Sequence, residues 1–173
     1  MISCEDSPRS SRSVACYDSP MIIFAADHRG YALKEELKNF VLERYDSGAV
    51  QDAGALAEDP TDDYPDFAFL GAHAVAENPE KNRGIMVCGS GMGMVVVANK
   101  IKGVRATVAY SRDSVIHARR RDNVNTITLA ADILTPEDAK EIVLAFLATE
   151  FAGEERDLRR LEKIRHIESE NFR

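Results

Sequence analysis

The stretch GIMVCGSGMGMVVVANK, residues 84–100, carries an apolar run into a glycine-rich turn and out again into a helical pattern. Residues 84–88 have the length and apolarity of a buried strand, and residues 94–101 begin a helix. A strand that enters a helix through glycines is the repeating unit of an open parallel sheet. At the joint stands one cysteine, Cys88.

The same rhythm continues on both sides. Before it, MIIFAAD (21–27) reads as a buried strand, and YALKEELKNFVLERY (31–45) places Leu33, Leu37, Phe40, Val41 and Tyr45 at amphipathic-helix spacing. A short strand is expected over 49–53, an acidic, proline-containing loop over 54–65 and a helix over 66–78. After it come a strand at 104–110, a helix at 111–122 and a strand at 125–130. Thr135-Pro136-Glu137-Asp138 is a helix start, with an N-cap threonine followed by proline at the first helical position. That helix runs to about residue 151, and a charged helix closes the chain from Glu154. Five strands alternating with helices predict an α/β fold: a Rossmann-like, three-layer α/β/α sandwich around a five-stranded parallel sheet. Such sheets bind ligands where their strands end. The places to examine are therefore Asp27-His28, the 54–65 loop, residues 88–93, the turn after Tyr110 and the region of Asp132.

Bulk composition narrows the function. Among 173 residues, 22 Lys and Arg face 29 Asp and Glu, a net charge of −7. That excludes a general nucleic-acid or anionic-membrane surface, which needs excess positive charge, though not a local anion pocket. No run reaches the roughly 18 apolar residues of a membrane span. The three cysteines, Cys4, Cys16 and Cys88, are an odd number and make no disulfide framework. A reducing, cytoplasmic setting is expected. Residues 1–20 lack the apolar core of a secretory signal and read as a flexible tail, with residues 21–173 as a single domain.

CGSGMG admits several readings. A dinucleotide fingerprint needs G-x-G-x-x-G, but Gly89, Gly91 and Gly93 give G-x-G-x-G, after the third strand rather than the first. A cysteine phosphatase would need arginine six residues after Cys88, where Met94 stands. Cys88 could also be a small buried hydrophobe beside tightly packed glycines. The remaining reading is chemical. A strand-to-helix turn aims backbone N–H groups outward and adds the positive end of a helix dipole. The same potential favours a thiolate. A base beside an oxyanion cradle is what proton abstraction next to a carbonyl requires.

ADHRG (26–30), DYP (63–65), CGSGMG (88–93) and ANK (98–100) together resemble the type B ribose-5-phosphate isomerases, whose superfamily includes galactose-6-phosphate isomerase. The resemblance spans residues 21–168. It implies aldose–ketose isomerisation of a small-molecule sugar phosphate through an enediolate, without metal or cofactor. It also implies a homodimer or dimer of dimers with active sites shared between subunits. By the resemblance Cys88 is the base, Met94 occupying the position where other members carry a glutamate. Ser90 and the amides of Gly89, Gly91, Met92 and Gly93 would cradle the enediolate. Asp27 would orient sugar hydroxyls, His28 would contact phosphate or sugar, and Tyr64 would line the pocket. Arg156 and Arg160 would bind phosphate. Their spacing agrees, since two arginines four apart on a helix repel until an anion joins them.

Three positions depart from the family pattern. Arg121-Asp122 stand where a ring-opening histidine and a sugar-binding asparagine are usual, and Asp132 replaces a third phosphate-binding arginine. In one account Arg121 and Asp132 have exchanged charge and His117, one turn before Arg121, supplies an acid. In the other the substrate is acyclic, such as erythrulose 4-phosphate. The simplest activity is ribose 5-phosphate to ribulose 5-phosphate. The rivals are a binding module that has lost its chemistry and a nucleotide-binding domain.

Overall fold

The computed structural model describes residues 20–171. All but the last residue of the tail expected over 1–20 lies outside these residues, as do Cys4 and Cys16. In chain order the elements are β1 (Ile22–Ala26), α1 (Tyr31–Leu42), a 3-10 turn (Ser47–Ala49), β2 (Val50–Asp52), α2 (Tyr64–Ala76), β3 (Arg83–Cys88), α3 (Met92–Ala98), β4 (Ala106–Val108), α4 (Arg112–Asp122), β5 (Thr126–Ala130), α5 (Pro136–Ala148) and α6 (Glu155–Asn171). The expected five-stranded parallel sheet is present, in the order β2-β1-β3-β5-β4. Element boundaries moved by a few residues. The helix expected from residue 66 begins at Tyr64, because Pro65 suits the first turn of a helix, where its missing N–H costs nothing. Thr135 caps α5 as expected, its Oγ1 accepting the Asp138 N–H at 3.2 Å.

Both faces of the sheet are covered, which is why β1 and β5 are buried along their whole length. On one face, Leu37 and Val41 of α1, Val115 of α4 and Ile142, Val143 and Phe146 of α5 pack on Phe24, Ile85 and Ile127. On the other, Ala68, Ala72 and Val75 of α2 and Met94 and Ala98 of α3 pack on Ile23, Ala25 and Met86. The strand order reverses between β1 and β3, since the chain turns outward to β2 before returning to β3. A crevice opens at such a reversal, at the carboxyl ends of the strands. Asp27 and Cys88 stand there side by side, one residue beyond the paired Ala26 and Val87.

Candidate active site

The carboxyl end is shaped by close backbone approach. Asp27 is buried, and its Oδ1 accepts the Gly30 N–H at 2.9 Å, turning the chain into α1. A methyl group on Gly30 would fall 2.2 Å from the Val87 carbonyl oxygen. Only glycine lets the start of α1 sit this low over the end of β3. Cys88 ends β3, 5% exposed, and its Sγ accepts the Gly91 N–H at 3.1 Å. Gly91 has φ 76°, a left-handed conformation that turns its N–H back onto the sulfur. The Met92 N–H points to Ser90 Oγ at 3.3 Å. The cradle therefore differs from expectation: the Gly91 amide serves the thiol, and the Met92 amide meets the Ser90 hydroxyl.

Side chains wall this turn. The Tyr64 ring lies against Gly93, where an added methyl would come within 2.7 Å of it. Beyond β5, the Asp132 N–H bonds to the Gly89 carbonyl at 3.0 Å, so Asp132 stands beside the turn. Its carboxylate pairs with Arg29, and both side chains crowd Gly89. His28 Nδ1 lies 2.6 Å from Asp62 Oδ1. That hydrogen bond holds the His28 pKa above its ordinary value, with burial opposing it and the charges of Asp62 and Asp27 adding to it. Behind the crevice, the fully buried Lys34 donates to Asp52 at 2.7 and 2.8 Å and to the Ala55 carbonyl at 2.7 Å. Burial would raise the Asp52 carboxyl, but hydrogen bonds from Lys34, Lys38 and the Gly54 N–H hold it below the ordinary range. This network fixes the segment that pairs with β1 through the Ala26–Gly54 and Ala55–Ala26 backbone bonds. Sequence reading missed Asp62 and Lys34, because each looks like an ordinary loop or helix charge until the chain is folded.

The other expected residues lie elsewhere. α4 starts beyond the carboxyl end of β4 and runs back, so Arg121 and Asp122 come to rest at the amino ends of the strands. α6 crosses that same end: the Ala152 N–H bonds to the Arg120 carbonyl, Arg165 pairs with Glu80 before β3, and Glu168 accepts the Gly103 N–H before β4. Arg121 binds Glu154 at 2.5 Å and Asp157 at 3.0 Å. Arg156 and Arg160 reach the other oxygen of Asp157 at 3.4 and 3.6 Å. Asp157 thus draws these two arginines together within one chain. Arg121 and Asp132 each have a partner of their own at opposite ends of the sheet, so no charge exchange joins them within one chain. His117 is exposed on α4, away from Cys88. Among the described residues, no three His, Cys, Asp or Glu side chains group as metal ligands, and no helix is long and apolar enough to cross a membrane.

The profile of the family described as Ribose/Galactose Isomerase matches residues 22–164. This chain belongs to that family. Ribose-5-phosphate isomerase B of Escherichia coli K12 is 36% identical over 147 residues, covering 85% of this chain and 95% of the relative. D-erythrulose-4-phosphate isomerase of Pectobacterium atrosepticum is also 36% identical, over 132 residues, covering 76% and 85%. The crystal structure of Mycoplasma genitalium ribose-5-phosphate isomerase B with bound ribulose-5-phosphate superposes with a TM-score of 0.83 at 38% identity, covering 88% of this chain and 99% of that one. The family expected from the sequence motifs and the fold expected from the strand–helix rhythm are both borne out.

Proposed function

We propose that this chain is an aldose–ketose isomerase of sugar phosphates, converting ribose 5-phosphate to ribulose 5-phosphate. One observation carries the reading: Cys88 ends β3 at the reversal of strand order, level with Asp27, with a backbone N–H directed at its sulfur. The Cys88 thiolate takes the proton from C2 of the open-chain aldose. The electron pair forms the C1–C2 double bond, and O1 becomes the oxyanion of an enediolate. The O2 proton passes to O1, and the same thiol returns the carbon-bound proton to C1 as the C2 carbonyl forms. Ser90 and the amides of Gly89 and Gly93 hold the oxyanion. Asp27 orients hydroxyls, and His28 and Tyr64 border the sugar. A preorganised donor of this kind is worth about 3 kcal/mol.

Arg121, Asp122, Arg156 and Arg160 serve the same substrate from a second copy of the chain. The separation of the two clusters within one chain supports this, as does the outer face of α2 and α3, where Phe69, Leu70, Met92 and Val96 are exposed. One domain over residues 21–173 carries the activity, in a homodimer or dimer of dimers. The working place is the reducing cytoplasm, which keeps Cys88 a thiol. A tetrose phosphate is the second reading, favoured by the Pectobacterium relative and by Arg121, which stands where a ring-opening histidine is usual. Turnover of tetrose, pentose and hexose phosphates by purified protein decides between them. Pentose turnover equal to or above tetrose turnover is expected, and a tetrose preference of more than about tenfold reassigns the substrate.

A further inference from the structure

The proton transfer between C1 and C2 leaves one built group without a task. Asp62 Oδ1 receives both the His28 ring at 2.6 Å and the His28 backbone N–H at 3.1 Å. Two contacts to one oxygen fix the ring, direct Nδ1–H at the carboxylate and leave Nε2 as the nitrogen a substrate can use. The Asp62 side chain is 9% exposed, and its Oδ2 is buried with no hydrogen-bond partner among the described residues. A carboxylate so placed, with the imidazole as its one side-chain partner among the described residues, favours the imidazolium. The charged groups around His28 are Asp27 and Arg29 in the turn after β1, and Asp59 and Asp62 in the loop before α2. Asp62 lies just outside the DYP motif, so the resemblance assigns it nothing.

The substrate chemistry asks for such a group. An aldopentose 5-phosphate closes a ring through its O4, and that C1–O4 bond must break before C2 can lose a proton to Cys88. Opening needs a proton at O4 and loss of one from O1. The described histidines are His28, His73, His117 and His166; the last three lie along α2, α4 and α6. His28 alone stands at the carboxyl ends of the strands.

We propose that the Asp62–His28 pair opens the sugar ring, with His28 the catalytic residue and Asp62 its positioning residue. The inference rests on the isomerase reading above. The imidazolium gives its Nε2 proton to O4 as the C1–O4 bond breaks and its electron pair goes to O4. The O1–H pair becomes the carbonyl, and the imidazole takes up the O1 proton. The dyad ends as it began, with no net proton or electron change.

The test compares Asp62→Asn and His28→Asn with wild-type full-length protein in two reactions. Turnover of ribose 5-phosphate needs ring opening. Deuterium wash-in at C1 of ribulose 5-phosphate does not, because its O5 carries the phosphate and no furanose forms. Turnover is expected to fall about a hundredfold in both variants, the usual worth of a positioned acid–base. Wash-in is expected to fall less than about tenfold. By NMR titration, the His28 pKa in Asp62→Asn should drop from its raised value toward 6.5, and the limb of the turnover–pH profile that it controls should move with it. Equal losses in the two reactions, or a His28 titration unchanged by Asp62→Asn, overturns the proposal. A wild-type protein that shows neither turnover nor wash-in overturns the isomerase reading, and this one with it.

Discussion

The two ends of the sheet are made of different material. At the carboxyl end the working geometry is backbone: Gly30 under Val87, Gly91 turning its N–H to Cys88, Gly93 against Tyr64. At the amino end it is charge: three guanidinium groups gathered on Asp157, itself fully buried. A backbone turn has one geometry and loses function when displaced. A cluster of arginines around one carboxylate can trade that partner for another anion. On the proposed function the first makes and breaks bonds, and the second captures and releases the phosphate.

The largest effect expected is at the carboxyl end. Cys88→Ala should lower turnover by at least about a hundredfold while leaving the circular dichroism spectrum and the melting profile in place; near-normal rates would remove the base from the scheme. Next comes the backbone under it. Gly30→Ala puts a methyl 2.2 Å from the Val87 carbonyl oxygen, and no flexible side chain can give way. Denaturant titration should show a loss of about 1–3 kcal/mol, the usual cost of overpacking. A wild-type midpoint would mean that α1 can rise off β3 freely. The third prediction joins the two ends. Cys88→Ala and Arg160→Ala, each inactive alone, should regain roughly a quarter of wild-type turnover when unfolded and refolded together in equal amounts. Half of the dimers are then mixed, and each mixed dimer holds one site with both wild-type contributions. No recovery would place cysteine and arginine in the service of one chain, against the topology.

The carboxyl end was the more legible from sequence because its parts are contiguous. CGSGMG and ADHRG each lie on one strand–turn–helix joint, so reading the joint already places Asp27, Cys88 and the glycines in the crevice. Arg121, Arg156 and Arg160 could be recognised as anion-seeking types, but their location depends on the direction in which α4 and α6 cross the sheet, which only the assembled topology determines. Asp157 was hidden for the same reason: one acid among many in a charged helix, it becomes the hub only once α4 lies beside it. Asp62 and Lys34 were hidden because their partners, His28 and Asp52, are far away in sequence.

The smallest expected effect separates the ends by the sign of their pH response. Hydrogen bonding from Arg121, with burial opposing, holds the Asp157 carboxyl below its ordinary 3.8. A depressed pKa contributes stability that is present above 3.8 and is lost as pH falls through the lower folded value. His28 is the reverse case. Its raised pKa contributes stability that is complete below 6.5 and fades as pH rises through the higher folded value. Asp157→Asn should therefore flatten the acid limb of a plot of unfolding midpoint against pH and leave the alkaline side alone, whereas Asp62→Asn should flatten the decline above neutrality and spare the acid side. If Asp157→Asn kept the wild-type acid limb, the arginines would be held by the fold around them and not by that carboxylate. The amino end would then be as rigid as the carboxyl end, and exchange of Asp157 for a phosphate would lose its physical basis.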